Sequence, residues 1–330
     1  MKKKPSPQST VRIGISGWRY EPWRGVFYPK KLVQRRELEF ASHALPSIEI
    51  NGTFYAMQKP ASFAQWYEQT PDDFVFSVKA PRYITHIRRL QDVHQPLANF
   101  FASGVLGLRQ KLGPVLWQFP PSFHFNAELM EAFLKDLPHD TEAALALARQ
   151  RDSFMAKREH LEIDAKRPVR HAIEIRHDSF ADPAFIKLLR HHKVALVVAD
   201  TAGKWPYLED VTADFMYLRL HGDAELYASG YTDKALDRWA DRIVAWSRGS
   251  QPEDAHLVDK DHAPPKRAHR DIHCYFDNDI KVKAPFDAAA LLDKLGLPNF
   301  LDQGSTLPCL EDSDTKVGAE ADTEGGLSRE

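Results

Sequence analysis

The stretch "IHCYFDND" (272–279) ends an apolar run in two aspartates and an asparagine, groups that are costly to bury. Acids, bases and amides recur at the ends of other short apolar runs: Glu49 and Asn51, Lys79, Gln118, Glu174 and Arg176, Asp200, Arg219 and His221, then Asp277 and Asp279. Together these types support three kinds of chemistry. Glu49 or Glu174 suits a general base, and His221 or Lys79 a general acid, with Asp277 beside them as a further catalytic carboxylate. Lys79, Arg176, Arg219 and His221 supply donors for a phosphate or carboxylate. Glu174, Asp200 and Asp277, each closing a different run, offer hard oxygen ligands of the kind Mg²⁺ or Mn²⁺ takes. Zinc chemistry is poorly served: His221 alone among the histidines stands at such a strand end, while His86 and His177 fall in loops. There is no P-loop, no G-x-G-x-x-G and no G-x-S-x-G, so neither a nucleotide cofactor nor a serine nucleophile is expected.

Eight elements must position these groups. The runs are 11–16, 47–51, 74–79, 115–119, 171–176, 194–200, 215–221 and 272–277, and helical patterns lie at 33–44, 60–69, 96–111, 126–137, 182–192, 232–248 and 285–294. The sixth connection, 201–214, is too short for a full helix. Alternating β and α units argue for a parallel sheet covered by helices. Eight units argue for closure into a (β/α)8 TIM-type barrel, which needs about 250 residues.

Within a strand, alternate side chains face opposite ways. The sorting puts Ile48 and Ile50, Phe76 and Val78, Ile173 and Ile175, Leu218 and Leu220, and Cys274 and Phe276 outward, against helices. It puts Glu49, Asn51, Ser77, Lys79, Glu174, Arg176, Tyr217, Arg219, His221, Tyr275, Asp277 and Asp279 inward, with Ser16, Trp18, Gln118 and Asp200 completing the set. A barrel interior is normally branched and apolar, and active sites form at the C-terminal strand ends. The expected site is therefore a pocket at that face. Trp18, Asn51, Tyr55, Gln118, Arg176, Arg219 and Asp279 would bind substrate, and Glu49, Lys79, Glu174, His221 and Asp277 would do the chemistry. A purely structural ion-pair network is the competing explanation of the same residues.

The chain has 330 residues, 43% hydrophobic and 11% aromatic, enough for a large core. Its net charge of −2 hides an acidic tail of eight acids and two bases from Asp302 onward, which leaves the remainder mildly basic. Two cysteines, Cys274 and Cys309, allow no disulfide framework, so a reducing, cytoplasmic setting is expected. No window reaches the roughly 18 apolar residues of a membrane span. Residues 1–10 read as a flexible N-terminus, 11–301 as the barrel and 302–330 as a disordered tail. Two insertions stand out: a charged, Ala-rich and helical 138–170, and a polar, Pro-rich, mobile loop at 247–271.

Several stretches resemble the YecE-like family, domain of unknown function number seventy-two: "ISGWRYEPWRGVFYP" (15–29), "IEINGTFY" (48–55), "FVFSVKAPRYITHIRRL" (74–90), "KLGPVLWQFPPSF" (111–123), "EIRHDSF" (174–180), "TADFMYLRLHG" (212–222) and "YFDND" (275–279). The resemblance spans about 11–295 and implies a TIM-type barrel. It brings no established reaction. Phe180 and Gly52 stand where family members often have Trp and Ser. The reading is an enzyme acting on a small anionic, phosphate-bearing sugar or nucleotide by acid–base or metal-assisted chemistry. The alternative is a non-catalytic nucleic-acid-binding barrel that uses "HIRRL" (86–90) and the arginine-rich insertion.

Overall fold

The computed structural model describes residues 4–223, 226, 229–278, 282–299 and 301. Asp279 and the acidic tail lie outside the described residues.

Eight parallel strands close on themselves in sequence order: β1 (Val11–Ser16), β2 (Ser47–Ile50), β3 (Val75–Lys79), β4 (Leu112–Gln118), β5 (His171–Glu174), β6 (Ala195–Asp200), β7 (Phe215–Leu220) and β8 (Asp271–Phe276). The ring closes where Val11 pairs with Ile272 and Ile15 with Phe276. This is a (β/α)8 TIM-type fold.

The outward set of every strand joins one core shared with the helices, including Ile13, Ile48, Phe76, Trp117, Ile173, Leu196, Leu218 and Cys274. The interior is a separate cluster of Leu116, Ala172, Ala195, Val197, Ala199, Phe215, Tyr217 and Tyr275. Small residues on β5 and β6 leave room for the two tyrosines to cross the barrel. Tyr217 meets Ser77 at 2.6 Å and Tyr275 meets Ser47 at 2.8 Å. These hydroxyl pairs satisfy the buried phenols and form a floor beneath the strand ends.

The helices are α1 (Glu37–Ala44), α2 (Gly52–Tyr55), α3 (Pro60–Glu68), α4 (His94–Ala102), α5 (Ala127–Asp136), α6 (Thr141–Ala148), α7 (Pro183–His192), α8 (Asp233–Ser247) and α9 (Ala284–Leu295). Side-chain caps define several starts: Asn126 accepts from Leu129 N, Asp182 from Ala184 N and Thr232 from Ala235 N. The connection 201–214 has no helix, as its length requires.

Three expectations are corrected. The single helix expected over 96–111 ends with α4, and a tighter 3-10 turn, Val105–Lys111, follows Gly104 at φ +112°. A Cβ there would stand 2.7 Å from Pro60 Cα. Gly104→Ala is therefore expected to cost about 1–3 kcal/mol, because strain and close approach act together; a urea midpoint unchanged from the native protein would refute this. The 138–170 insertion is helical only in α6 and the short turn Ser153–Met155, and is otherwise irregular. The Pro-rich loop has no regular structure, but it is pinned to the barrel. Buried Glu209 and Asp210 accept from His256 N, Val258 N and Asp259 N, and Arg190 pairs with Asp259. At the chain start, Ser6 and Ser9 bond Ser247, and Thr10 N donates to Asp271.

Candidate functional site

Arg219, the inward residue near the end of β7, has no exposed surface. Its guanidinium is surrounded by carboxylates from three other strands. Nε and Nη2 donate to the two oxygens of Glu49 at 3.1 and 2.9 Å, Nη1 donates to Glu174 at 2.7 Å, and Nη2 also reaches Asp277 at 2.7 Å. Longer contacts run from Nη2 to Ser16 Oγ (3.2 Å) and from Nη1 to His221 Nε2 (3.4 Å). The rigid planar fork of arginine suits this multiple bonding.

The acids are saturated in turn. Glu49 also accepts from Ser16 Oγ at 2.5 Å and Tyr217 Oη at 2.6 Å. Glu174 accepts from Gln118 and Arg176, both at 2.9 Å. Burial would raise the Glu174 and Asp277 carboxyls. Arg219 outweighs it, helped by Arg176, His221 and Lys79 for Glu174, and by His221 and Lys79 for Asp277. Both acids are held below the ordinary carboxylate range.

Three role expectations bear on this cluster. Arg219 was expected to hold a substrate anion, but its donors are engaged by protein carboxylates, so it positions them. Glu49 was expected as a base, but it is fully buried under four donated hydrogen bonds and anchors Arg219 instead. His221 is also fully buried, with its Nδ1 3.1 Å from Asp277 Oδ2 and its ring edge-on to Trp205.

The groups nearer solvent are Lys79, Arg176, Asp277 and Asn51. Lys79 closes β3, and its Nζ stands 4.3 Å from the centroid of Phe54, a residue of α2. Among the described residues no hydrogen bond or ion pair reaches this ammonium. Burial and the nearby Arg219 charge push its pKa down to about 8, against the pull of Glu49, Asp277 and Glu174. Arg176 lies over Trp205, 3.7 Å from the ring centroid, with its Nε on Glu174. Asn51 donates to Ser16 Oγ at 2.9 Å, and its buried carbonyl oxygen has no donor among the described residues.

Three expected site residues stand elsewhere. Trp18 packs on Trp66 and Phe76 in the outer core, because Gly17 at φ +81° breaks the alternation after β1. Tyr55 is 71% exposed, on the rim. Asp200 has the outward parity of Leu196 and Val198 and accepts from Tyr231 Oη at 3.1 Å. The expected metal trio therefore does not converge: Glu174 and Asp277 face one guanidinium, and Asp200 faces away from it. Among the described residues no three His, Cys, Asp or Glu side chains come together as a metal site. At Glu49, Glu174 and Asp277 the guanidinium of Arg219 takes the position a shared cation would occupy.

One residue was missed. His86 belongs to a single wide π turn, Tyr83–Ile87, closed by Arg88 N donating to Tyr83 O at 2.8 Å. Its ring sits 5.0 Å from Phe54, and burial with the Lys79, Arg176 and Arg82 charges pushes it down to about 4. π turns are frequent at functional sites, and hydrophobic periodicity does not reveal them.

A closed parallel barrel with an arginine–carboxylate cluster beneath its C-terminal strand ends defines a TIM-type protein with a polar C-terminal mouth. The chain belongs to the family described as protein of unknown function DUF72, matched over residues 12–308. It is similar to UPF0759 protein YunF of Bacillus subtilis (strain 168), 30% identical over 134 residues, 39% of this chain and 46% of that protein. It is also similar to UPF0759 protein YecE of Escherichia coli (strain K12), 31% identical over 113 residues, 34% and 39% of the two chains. These matches span less than half the length of either relative. A DUF72 family protein of Thermotoga maritima MSB8 has a similar structure, with TM-score 0.65, 26% identity and coverage of 87% of this chain and 99% of that one. One from Enterococcus faecalis V583 gives TM-score 0.61 at 18% identity, covering 88% and 97%, a likeness of fold alone. No helix among the described residues is long and apolar enough to cross a membrane.

Proposed function

We propose that this chain is an enzyme working at the C-terminal mouth of its barrel on a small anionic substrate, a phosphate-bearing sugar or nucleotide, with Lys79 as its proton-transferring amine. One observation carries the reading. Every buried acid of the cluster is satisfied by Arg219 and its neighbours, yet Lys79 stands beside them without a hydrogen bond or ion pair among the described residues. A lysine retained for a structural network would be paired with one of those acids. A desolvated amine with a pKa of about 8 exchanges protons near neutral pH, where acid–base catalysis is most effective. Arg176, over the Trp205 ring near the mouth, supplies charge for the substrate anion. Asp277, kept ionised and 14% exposed, supplies a fixed acceptor beside it.

Two measurements test this. Competitive acetylation read by mass spectrometry should give Lys79 a midpoint near pH 8, about two units below the roughly 10.4 of exposed lysines. A thermal-shift screen of sugar phosphates and nucleotides should find a stabilising ligand whose effect falls at least tenfold in apparent affinity in Arg176→Ala. An ordinary Lys79 midpoint, together with no ligand across the screen, would sink the proposal.

A further inference from the structure

A groove of about 590 Å³ opens beside the mouth, within the size range of small-molecule sites. Phe54 lines it and also lies beneath the Lys79 ammonium, so groove and mouth are continuous. Three aromatic side chains in its wall are more than half exposed: Tyr55 (71%), Tyr83 (52%) and Phe154 (58%). Rings left in solvent forgo the burial that favours folding, and three around one groove form a stacking platform.

The backbone is unusual at the same place. Tyr83 opens the π turn, and the chain just after it holds Arg89, Leu90 and Asp92 at φ of 50°, 64° and 49°. Strain of this kind in non-glycine residues gathers at ligand clamps. Two bases, Arg82 and Arg88, and two acids, Asp92 and Asp152, line the groove. Asp92 is paired with Arg88 at 3.1 Å, and Asp152 is occupied by Phe154 N and Asn99. Arg82 has no ion pair among the described residues.

We propose that this groove seats one nucleotide unit, its base stacked among Tyr55, Tyr83 and Phe154 and its phosphate on Arg82, with the reacting end extended past Phe54 toward Lys79. The inference rests on the enzyme reading for the reacting end alone; stacking and phosphate contact stand on the groove itself. Aromatic platforms with interleaved arginines are how single strands are held without reading sequence. A strand segment and a free nucleotide present the same ring and phosphate.

Fluorescence anisotropy with a 5′-labelled hexathymidylate, with adenosine monophosphate as competitor, tests the site. Saturable binding is expected. Tyr83→Ala and Phe154→Ala, both at exposed positions, should each weaken it roughly 5- to 100-fold while leaving the circular dichroism spectrum unchanged. Arg82→Ala should lower the slope of log affinity against log salt by about 0.7. Competition by the mononucleotide at millimolar concentration would assign the groove to free nucleotides, and competition by unlabelled strand alone would assign it to single strands. No saturable binding, binding indifferent to the two ring deletions, or ring-dependent binding of neutral maltohexaose in place of the strand would overturn the proposal. The Lys79 acetylation midpoint is read separately, so failure of the groove and failure of the enzyme reading are distinguishable.

Discussion

Arg219→Met is expected to remove roughly 3–5 kcal/mol of stability at neutral pH, the cost of stranding a buried charged partner, and it strands three. Domains of this kind hold only about 5–15 kcal/mol in total, so the variant sits near the edge of folding. Methionine fills similar space, so a cavity is not the cause. Glu49, Glu174 and Asp277 lose the guanidinium that each of them bonds. The pH dependence identifies the mechanism. In the native protein Glu174 and Asp277 are held below their unfolded values. Their contribution is present above the unfolded carboxylate range and is lost as pH falls through the folded values. Without Arg219, burial dominates at Glu174 and Asp277, so the folded pKa values of these two move above the unfolded ones. The folded variant then binds more protons than the unfolded chain and gains stability as pH falls from 7 toward 5. Urea unfolding at the two pH values measures both effects. Arg219→Lys should recover little, since one ammonium cannot span three carboxylates. A loss below about 1 kcal/mol with no recovery in acid would mean that the cluster is solvated and carries no such role.

The second expected result has the opposite sign: Lys79→Met should stabilise the protein by about 1–3 kcal/mol at pH 7. A fall from 10.5 to about 8 would correspond to roughly 3 kcal/mol at about 1.4 kcal/mol per unit, an upper bound for a residue still 8% exposed. The folded state releases this proton more readily than the unfolded chain does. The penalty is therefore complete below about pH 8 and is relieved as pH rises toward 10.5. The melting-temperature advantage of the methionine variant should shrink over that window. A residue whose removal stabilises the fold is retained for function, and the same substitution should abolish turnover once a substrate is found. A destabilised Lys79→Met would make the lysine structural and remove the main support for the enzyme reading.

How much of this was legible beforehand depended on contrast between strand faces. In β2, β3, β5, β7 and β8 one face is apolar and the other carries polar groups, so period-two alternation alone placed Glu49, Lys79, Glu174, Arg219 and Asp277 on the inner side. The eight runs and the connections between them likewise determined the closed barrel, because parallel strands need long crossover connections, usually helical, and eight strands complete the ring. β6 lacked that contrast. Ala195, Val197 and Ala199 are as apolar as Leu196 and Val198, so the side on which Asp200 fell was not readable. Trp18 was misplaced because Gly17 takes a left-handed conformation that composition does not report.

Tertiary structure alone decided which charges meet. Alternation says that Arg219 points inward. Only barrel closure brings it against Glu49, 170 positions away, and Glu174, 45 positions away. That meeting turns an expected anion binder into the anchor of three acids, and it leaves Lys79 over the Phe54 ring with no hydrogen bond or ion pair among the described residues. Coulomb energy depends on distance in space and on exclusion of water, and the closed barrel sets both. The groove has the same origin: Phe154, from the 138–170 insertion, meets Tyr55 and Tyr83 only because packing of α6 on α4 carries the insertion to the mouth.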